Sequence, residues 1–230
     1  MKKAFSLLEL LIVIVVAAIL YSSVSFSLTD TSLTQVTDKL VLHLNYARHL
    51  ALKDNKMQYY PISNDIVEMN RSKYWFKQWW QLRLSKNDNG DYFYEIFSDS
   101  PYSKSNIFNR VGGPVSEYAK DPGTEYYMAG NYGNPPNKEF NLSYFHIVKV
   151  LYNGKEIKTN DSIRFVFDNY GNIYNTEGEK GDKEDINPYD IEKRVPILSI
   201  SKLELCQDED CKVKSTICIS PKLGNAYLCN

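Results

Sequence analysis

Apolar residues fill the first third of a long N-terminal stretch and then thin to a stripe. From Phe5 to Leu20 the chain is almost wholly aliphatic, with Glu9 the one charged residue among Leu7, Leu8, Leu10, Leu11, Ile12, Val13 and their successors. Further on, Leu33, Val36, Leu40, Leu44, Ala47 and Ala51 recur at steps of three and four, the spacing that collects side chains on one face of an α-helix. Asp38, Lys39, Asn45, Arg48 and Lys53 occupy the remaining faces. The pattern predicts a helix from Phe5 to about Asp54, roughly 75 Å long at 1.5 Å per residue. Ser22, Ser23, Ser25 and Ser27, followed by Thr29-Asp30-Thr31, lower helix propensity part-way along and predict a bend or local melting there.

After Asn55 the texture changes to short apolar runs separated by turn residues, as in antiparallel sheets. Strands are expected at Met57–Pro61, Tyr74–Leu84 and Tyr92–Phe97, with Asn87-Asp88-Asn89-Gly90-Asp91 as a hairpin turn. Residues 98–141 are rich in Tyr, Asn, Gly and Pro and read as a long irregular stretch, the kind that often carries partner contacts. Strands are expected again at Leu142–Leu151, Ile163–Phe167, Val195–Cys206, Lys212–Ile219 and Ala226–Cys229, with a charged surface loop over 176–193. The fold class is therefore α+β: a long N-terminal helix packed on an antiparallel β-rich head of residues 55–230. The helix divides into an apolar half, 5–28, long enough to span a bilayer, and an amphipathic half, 29–54, that buries its stripe on the head.

Charge and cysteines narrow the setting. The net charge is −1 and the pI about 6.3, poor grounds for a nucleic-acid binder. Positive Lys2 and Lys3 precede the apolar run and hold that end in the cytoplasm, which places the head across the inner membrane. Four cysteines, spaced C-x4-C-x6-C-x10-C, suit that oxidising side. No His lies near them, which argues against zinc. Cys206 and Cys211 flank a four-residue turn, and Cys218 and Cys229 flank the turn at Leu223-Gly224-Asn225. Each pair falls opposite in a hairpin, so the expected bridges are Cys206–Cys211 and Cys218–Cys229.

Glu9 is the informative anomaly. A carboxylate in the hydrocarbon layer costs roughly 2.5–3.5 kcal/mol, so it should be there to meet a positive partner. It stands four residues after Phe5, which follows the short basic leader Met1-Lys2-Lys3-Ala4. An ordinary secretory signal has a shorter apolar core with its small-residue cleavage site beyond it; here Ala17-Ala18 lies inside the core. The arrangement resembles the prepilin signal of type IV pilins and type II secretion pseudopilins. The resemblance implies cleavage between Ala4 and Phe5 by prepilin peptidase, methylation of the Phe5 amine, and pairing of Glu9 with the N-terminal amine of a neighbouring subunit. Ala4 departs from the Gly usual before the cut, which implies slower or family-variant processing rather than none. Loss of Lys2 and Lys3 would take the side-chain charge from −1 to −3.

A narrower resemblance rests on Asn45-Tyr46-Ala47-Arg48-His49-Leu50-Ala51 closing the helix, on Trp75 and Trp79-Trp80 before an Asn-Asp-Asn-Gly turn, and on Ile163-Arg164-Phe165 leading into a Gly turn. It points to minor pilins and pseudopilins of the GspH/FimT family. Their partners would be the peptidase, the inner membrane and other major and minor pilins, in a pilus, a secretion machine or a DNA-uptake machine.

Two further clusters have plainer readings. Arg71, Lys73, Trp75, Lys77, Trp79 and Arg83 mix cations with aromatics and could stack single-stranded DNA. The favoured reading is a two-faced strand with aromatics inward and cations in water. Glu177, Glu179, Asp182, Glu184 and Asp185 could suggest calcium, but they lack the EF-hand ladder and are interleaved with Lys180 and Lys183. No nucleophile elbow, phosphate loop or paired-His motif occurs, and no cofactor or enzymatic activity is expected.

Overall fold

The computed structural model describes residues 7–54, 56, 78–98, 117–132, 136–178 and 195–229. One helix, α1 (Leu7–Lys53), leads into two antiparallel sheets. The helix is continuous through the Ser-rich stretch, so the local melting expected there is not seen; lowered propensity shifts a balance of tenths of a kcal/mol per residue and does not by itself break a long helix.

The first sheet contains β1 (Trp80–Lys86), β2 (Tyr92–Ser98), β3 (Glu117–Tyr118), β6 (Ser162–Phe167), β7 (Ile173–Gly178) and β8 (Val195–Pro196), in the order β3-β2-β1-β6-β7-β8. The second contains β4 (Lys149–Tyr152), β5 (Lys155–Glu156), β9 (Ser201–Cys206), β10 (Lys214–Ile219) and β11 (Ala226–Leu228), in the order β11-β10-β9-β4-β5. Strand periodicity sets the faces. Trp80, Leu82 and Leu84 of β1, Tyr92, Tyr94 and Ile96 of β2, and Ile163, Phe165 and Phe167 of β6 enter one core. Val150, Leu203, Leu205, Ile217 and Ile219 of the second sheet join it, as does the helical stripe Leu33, Val36, Leu40, Leu44, Ala47 and Ala51.

Several expected boundaries move. The strand expected at Tyr74–Leu84 begins at Trp80 and ends at Lys86, and its portion before 78 lies outside the described residues, as does Met57–Pro61. Leu142–Leu151 is not one strand. Leu142–Phe145 form a 3-10 turn, whose start is capped by Asn141 Oδ1 accepting the Ser143 N–H at 2.9 Å. His146 ends that turn in the left-handed region, before β4 begins at Lys149. Val195–Cys206 divides between the sheets: Pro196, which has no N–H for a further ladder bond, closes β8, and the chain crosses over to start β9 at Ser201. The first residues of the charged loop expected over 176–193 are strand, since β7 continues to Gly178, and the rest of it lies outside the described residues. Within the stretch 98–141, β3 pairs with β2, and Ile96 N–H donates to the Met128 carbonyl at 2.9 Å. The last part of that stretch therefore extends the first sheet's edge.

Candidate functional site

The helix has two halves in different circumstances. Leu33, Val36, Leu40, Leu44, Ala47 and Ala51 are all buried. Leu8, Leu10 to Val16, Ile19, Leu20 and Tyr21 are all exposed, between 48% and 77%. Soluble monomers rarely leave so long a run of apolar side chains in water; a surface of this kind marks contact with a partner or with lipid. Among the described residues no helix is long and apolar enough to cross a membrane.

The outer half is fastened by more than its stripe. Asn45 spends its amide on the edge of the second sheet: Nδ2 donates to the Ala226 carbonyl at 2.9 Å, and Oδ1 accepts the Ala226 N–H at 3.0 Å. A side-chain amide there imitates the next strand's backbone. Three residues on, Arg48 Nε donates to the Gly171 carbonyl at 3.2 Å, in the turn joining β6 to β7. Gly171 has φ +77°, which favours glycine, and a Cβ on it would stand 3.1 Å from the Arg48 guanidinium and from Leu52, so any other residue would push on both side chains. Gln207 Nε2, at the end of β9, reaches Ser32 Oγ at 3.0 Å and the Phe145 carbonyl at 3.2 Å. Lys39 and Glu139 form an exposed ion pair at 3.2 Å, which adds little.

His43 is the titratable part of this seat. Its ring lies parallel to Phe140, 4.8 Å between centroids, and Nδ1 is 2.8 Å from Tyr94 Oη. Burial lowers its pKa to about 4, against smaller opposing effects of Asp121 and Glu139. Burial also pushes the Tyr94 phenol far up. Near neutral pH the phenol therefore keeps its proton and the imidazole is neutral, and one hydrogen bond joins them.

Of the residues proposed for processing, Ala4 and Phe5 lie outside the described residues, and Glu9 falls in the first turn of α1. Of the basic-aromatic segment, Arg71, Lys73, Trp75 and Lys77 lie outside them too. Trp79 is half-buried, its ring tilted 5.5 Å from that of Tyr174. Arg83 is not the water-facing cation expected of a two-faced strand. It pairs with Glu95, and the two side chains are 14% and 0% exposed. Arg83 stands in register with Glu95 of β2 on one side and Arg164 of β6 on the other. Burial raises the Glu95 pKa, against the opposing charge of Arg83. Polar residues in a strand normally signal a solvated face, so no sequence signal marked these three as shielded.

The cysteines form two bridges, Cys206–Cys211 and Cys218–Cys229, each across a hairpin. The acidic residues from Glu179 to Asp185 lie outside the described residues. Among the described residues no group of three or more His, Cys, Asp or Glu could hold a metal ion.

Residues 1–22 match the family model described as the prokaryotic N-terminal methylation motif. That motif marks a type IV prepilin-like protein. The match ends within the exposed apolar half of α1 and leaves the head to be read from its own geometry. No curated protein and no solved structure matches the chain.

Proposed function

We propose that the chain is a structural subunit of a type IV pilus or type II secretion pseudopilus, cut between Ala4 and Phe5 by prepilin peptidase and methylated on Phe5. One observation carries the reading: the methylation motif overlaps the start of a helix whose described apolar side chains are exposed from Leu8 to Tyr21, while from Leu33 to Ala51 its stripe is buried in the head. The exposed apolar half would lie first in the inner membrane, with the head in the periplasm, and then in the core of the fibre. Glu9 would leave an unpaired site in the bilayer for an ion pair with the Phe5 amine of the next subunit. Breaking such a pair strands a buried charge, at about 3–5 kcal/mol.

Within that reading we favour a minor, tip-located subunit of the GspH/FimT type. A bulky head with exposed Tyr126, Tyr127 and Tyr144 packs poorly along a whole fibre and suits its end. The role is structural rather than enzymatic. The rival role, a DNA receptor using residues 71–83, draws less support, because Arg83 is committed to Glu95.

Co-expression with a prepilin peptidase tests the proposal. The expected product begins at Phe5 and carries one added methyl group by intact mass and N-terminal peptide mapping. A chain that keeps residues 1–4 in the presence of a peptidase active on a control prepilin would overturn it.

A further inference from the structure

Three loops and the last turn of α1 meet at the end of the head away from the exposed apolar half of the helix. The turn joining β6 to β7 lies against Arg48 and Leu52, the neighbours of Gly171. The turn joining β10 to β11 lies against the first turn: a Cβ on Gly224 would stand 3.0 Å from Phe167 and Ile173 and 3.3 Å from the Gly171 carbonyl oxygen. Next to it the Lys222 N–H donates to the Ile197 carbonyl at 3.1 Å, where the chain crosses from β8 to β9. Each of these segments turns one large apolar side chain into solvent. Tyr170 is 76% exposed, Leu198 72%, Leu223 61% and Leu52 43%. Together they exceed the scattered apolar residues normal on a soluble surface.

The exposed charge beside these residues is positive. Lys53, the last residue of α1, and Lys222 are both exposed. Lys222 is held at φ +62°, a backbone conformation uncommon for any residue with a Cβ. Two carboxylates in the same turns are taken up. Asp168 is 4% exposed and accepts from the Tyr170 and Asn172 N–H groups, from Asn172 Nδ2 and from Tyr174 Oη. Asp54 pairs with Lys56 at 2.5 Å and accepts Trp80 Nε1 at 2.9 Å. The backbone is equally spent. The N–H groups of Tyr170, Gly171 and Asn172 all end on Asp168, that of Lys222 on Ile197, that of Leu223 on Pro221 and that of Gly224 on Ser220. The Gly171 carbonyl takes Arg48 Nε.

These features discriminate among occupants. A strand-adding peptide or an anion cradled by a turn needs outward N–H groups, and those of the two turns are used. The core of a protein interface is rich in aromatic residues and Arg and poor in Lys; here Arg48 is turned onto Gly171, and leucine and lysine dominate. A lipid surface asks for what is present: apolar side chains projecting from loops, a backbone satisfied from within, and Tyr and Lys at head-group level. We propose that this end of the head docks on an anionic phospholipid bilayer. Leu198 and Leu223 enter the acyl boundary, Tyr170 and Leu52 lie among the head groups, and Lys53 and Lys222 meet lipid phosphates. This bilayer is a second one. Leu52 lies about 46 Å along α1 from Tyr21, so a hydrocarbon layer roughly 30 Å thick around Leu8 to Tyr21 does not reach it.

The test holds the full chain through its apolar half in phosphatidylcholine nanodiscs and adds sucrose-loaded vesicles of phosphatidylcholine, with or without phosphatidylglycerol. Discs carrying the chain, and not empty discs, should pellet with the anionic vesicles, and less so as salt rises. Leu198→Ser and Leu223→Ser should each weaken binding by about tenfold, the loss of one inserted side chain. Both residues are exposed, so neither change disturbs the core. Lys53→Gln and Lys222→Asn should each weaken it by about fivefold; asparagine tolerates the left-handed backbone at 222. Leu42→Ser removes another exposed leucine of α1, about 15 Å back from Leu52, and should leave binding unchanged. No pelleting, equal pelleting with neutral vesicles, indifference to both leucine changes, or discs that associate with one another instead of with vesicles would each overturn the proposal. The discs carry the unprocessed chain, so the result is independent of cleavage and fibre assembly.

Discussion

Asn45→Ala should destabilise the head by about 2–4 kcal/mol, an unusually large effect for a half-exposed helix residue. The magnitude follows from what the amide touches. Its two bonds to Ala226, at 2.9 and 3.0 Å, satisfy both backbone groups of a strand residue that is 5% exposed. Truncation leaves an N–H and a carbonyl without partners, and each unsatisfied buried group costs about 1–3 kcal/mol. Water reaching the half-exposed Asn45 position recovers part of this, which sets the lower bound. Asn45→Asp sharpens the argument. It keeps an acceptor for the Ala226 N–H but turns a second oxygen on the Ala226 carbonyl, so it should be no better than alanine. The assay is urea unfolding of the full chain in detergent, followed by tryptophan fluorescence. A loss under about 0.5 kcal/mol for Asn45→Ala, the range of an ordinary surface change, would refute the reasoning, as would an aspartate variant of wild-type stability.

Three further outcomes are expected. His43, neutral in the fold with a pKa of about 4 against 6.5 when unfolded, binds its proton more readily in the unfolded chain. Stability therefore falls as pH drops from about 6.5 toward 4, by about 3 kcal/mol in all, and His43→Gln should remove that part of the slope when its pH–stability curve is compared with wild type. Reduction should cost about 2 kcal/mol for Cys206–Cys211 and about 3 for Cys218–Cys229, the larger loop; single cysteine-pair replacements and denaturant unfolding would check the order. Glu9→Val should still enter the membrane but reach the sheared fibre fraction poorly, and immunoblots showing normal incorporation would remove Glu9 from the assembly mechanism.

What the sequence disclosed depended on whether a residue's neighbours lay on its own element. The stripe from Leu33 to Ala51 was legible because helical period and burial coincide, and each member is found in the core. The cysteine hairpins were legible because each pair is local, five and eleven residues apart. Asn45 looked like one more polar residue on an outer helix face. Its partner is Ala226, 181 positions away, and nothing in local periodicity points there. Arg83 likewise read as a cation in water, although Glu95 takes it up from the neighbouring strand. The run Val195–Cys206 read as one strand because apolar content does not say which sheet a residue joins; only Pro196 hinted at the break.

These long-range polar contacts join the outer helix to both sheets of the head. Among the described residues the two sheets share a core but no strand ladder, and a shared apolar core resists sliding weakly because its contacts are non-directional. The helix supplies direction on both sides. His43 meets Tyr94, and Arg48 meets Gly171, on the first sheet. Asn45 meets Ala226, and Ser32 meets Gln207, on the second. Tension entering along α1 would therefore reach both sheets at several fixed points rather than peel one from the other. The bridge Cys218–Cys229 lies just beyond the Asn45 contact and ties β11 back to β10, so the strand that the helix grips cannot be drawn out of its sheet by that grip.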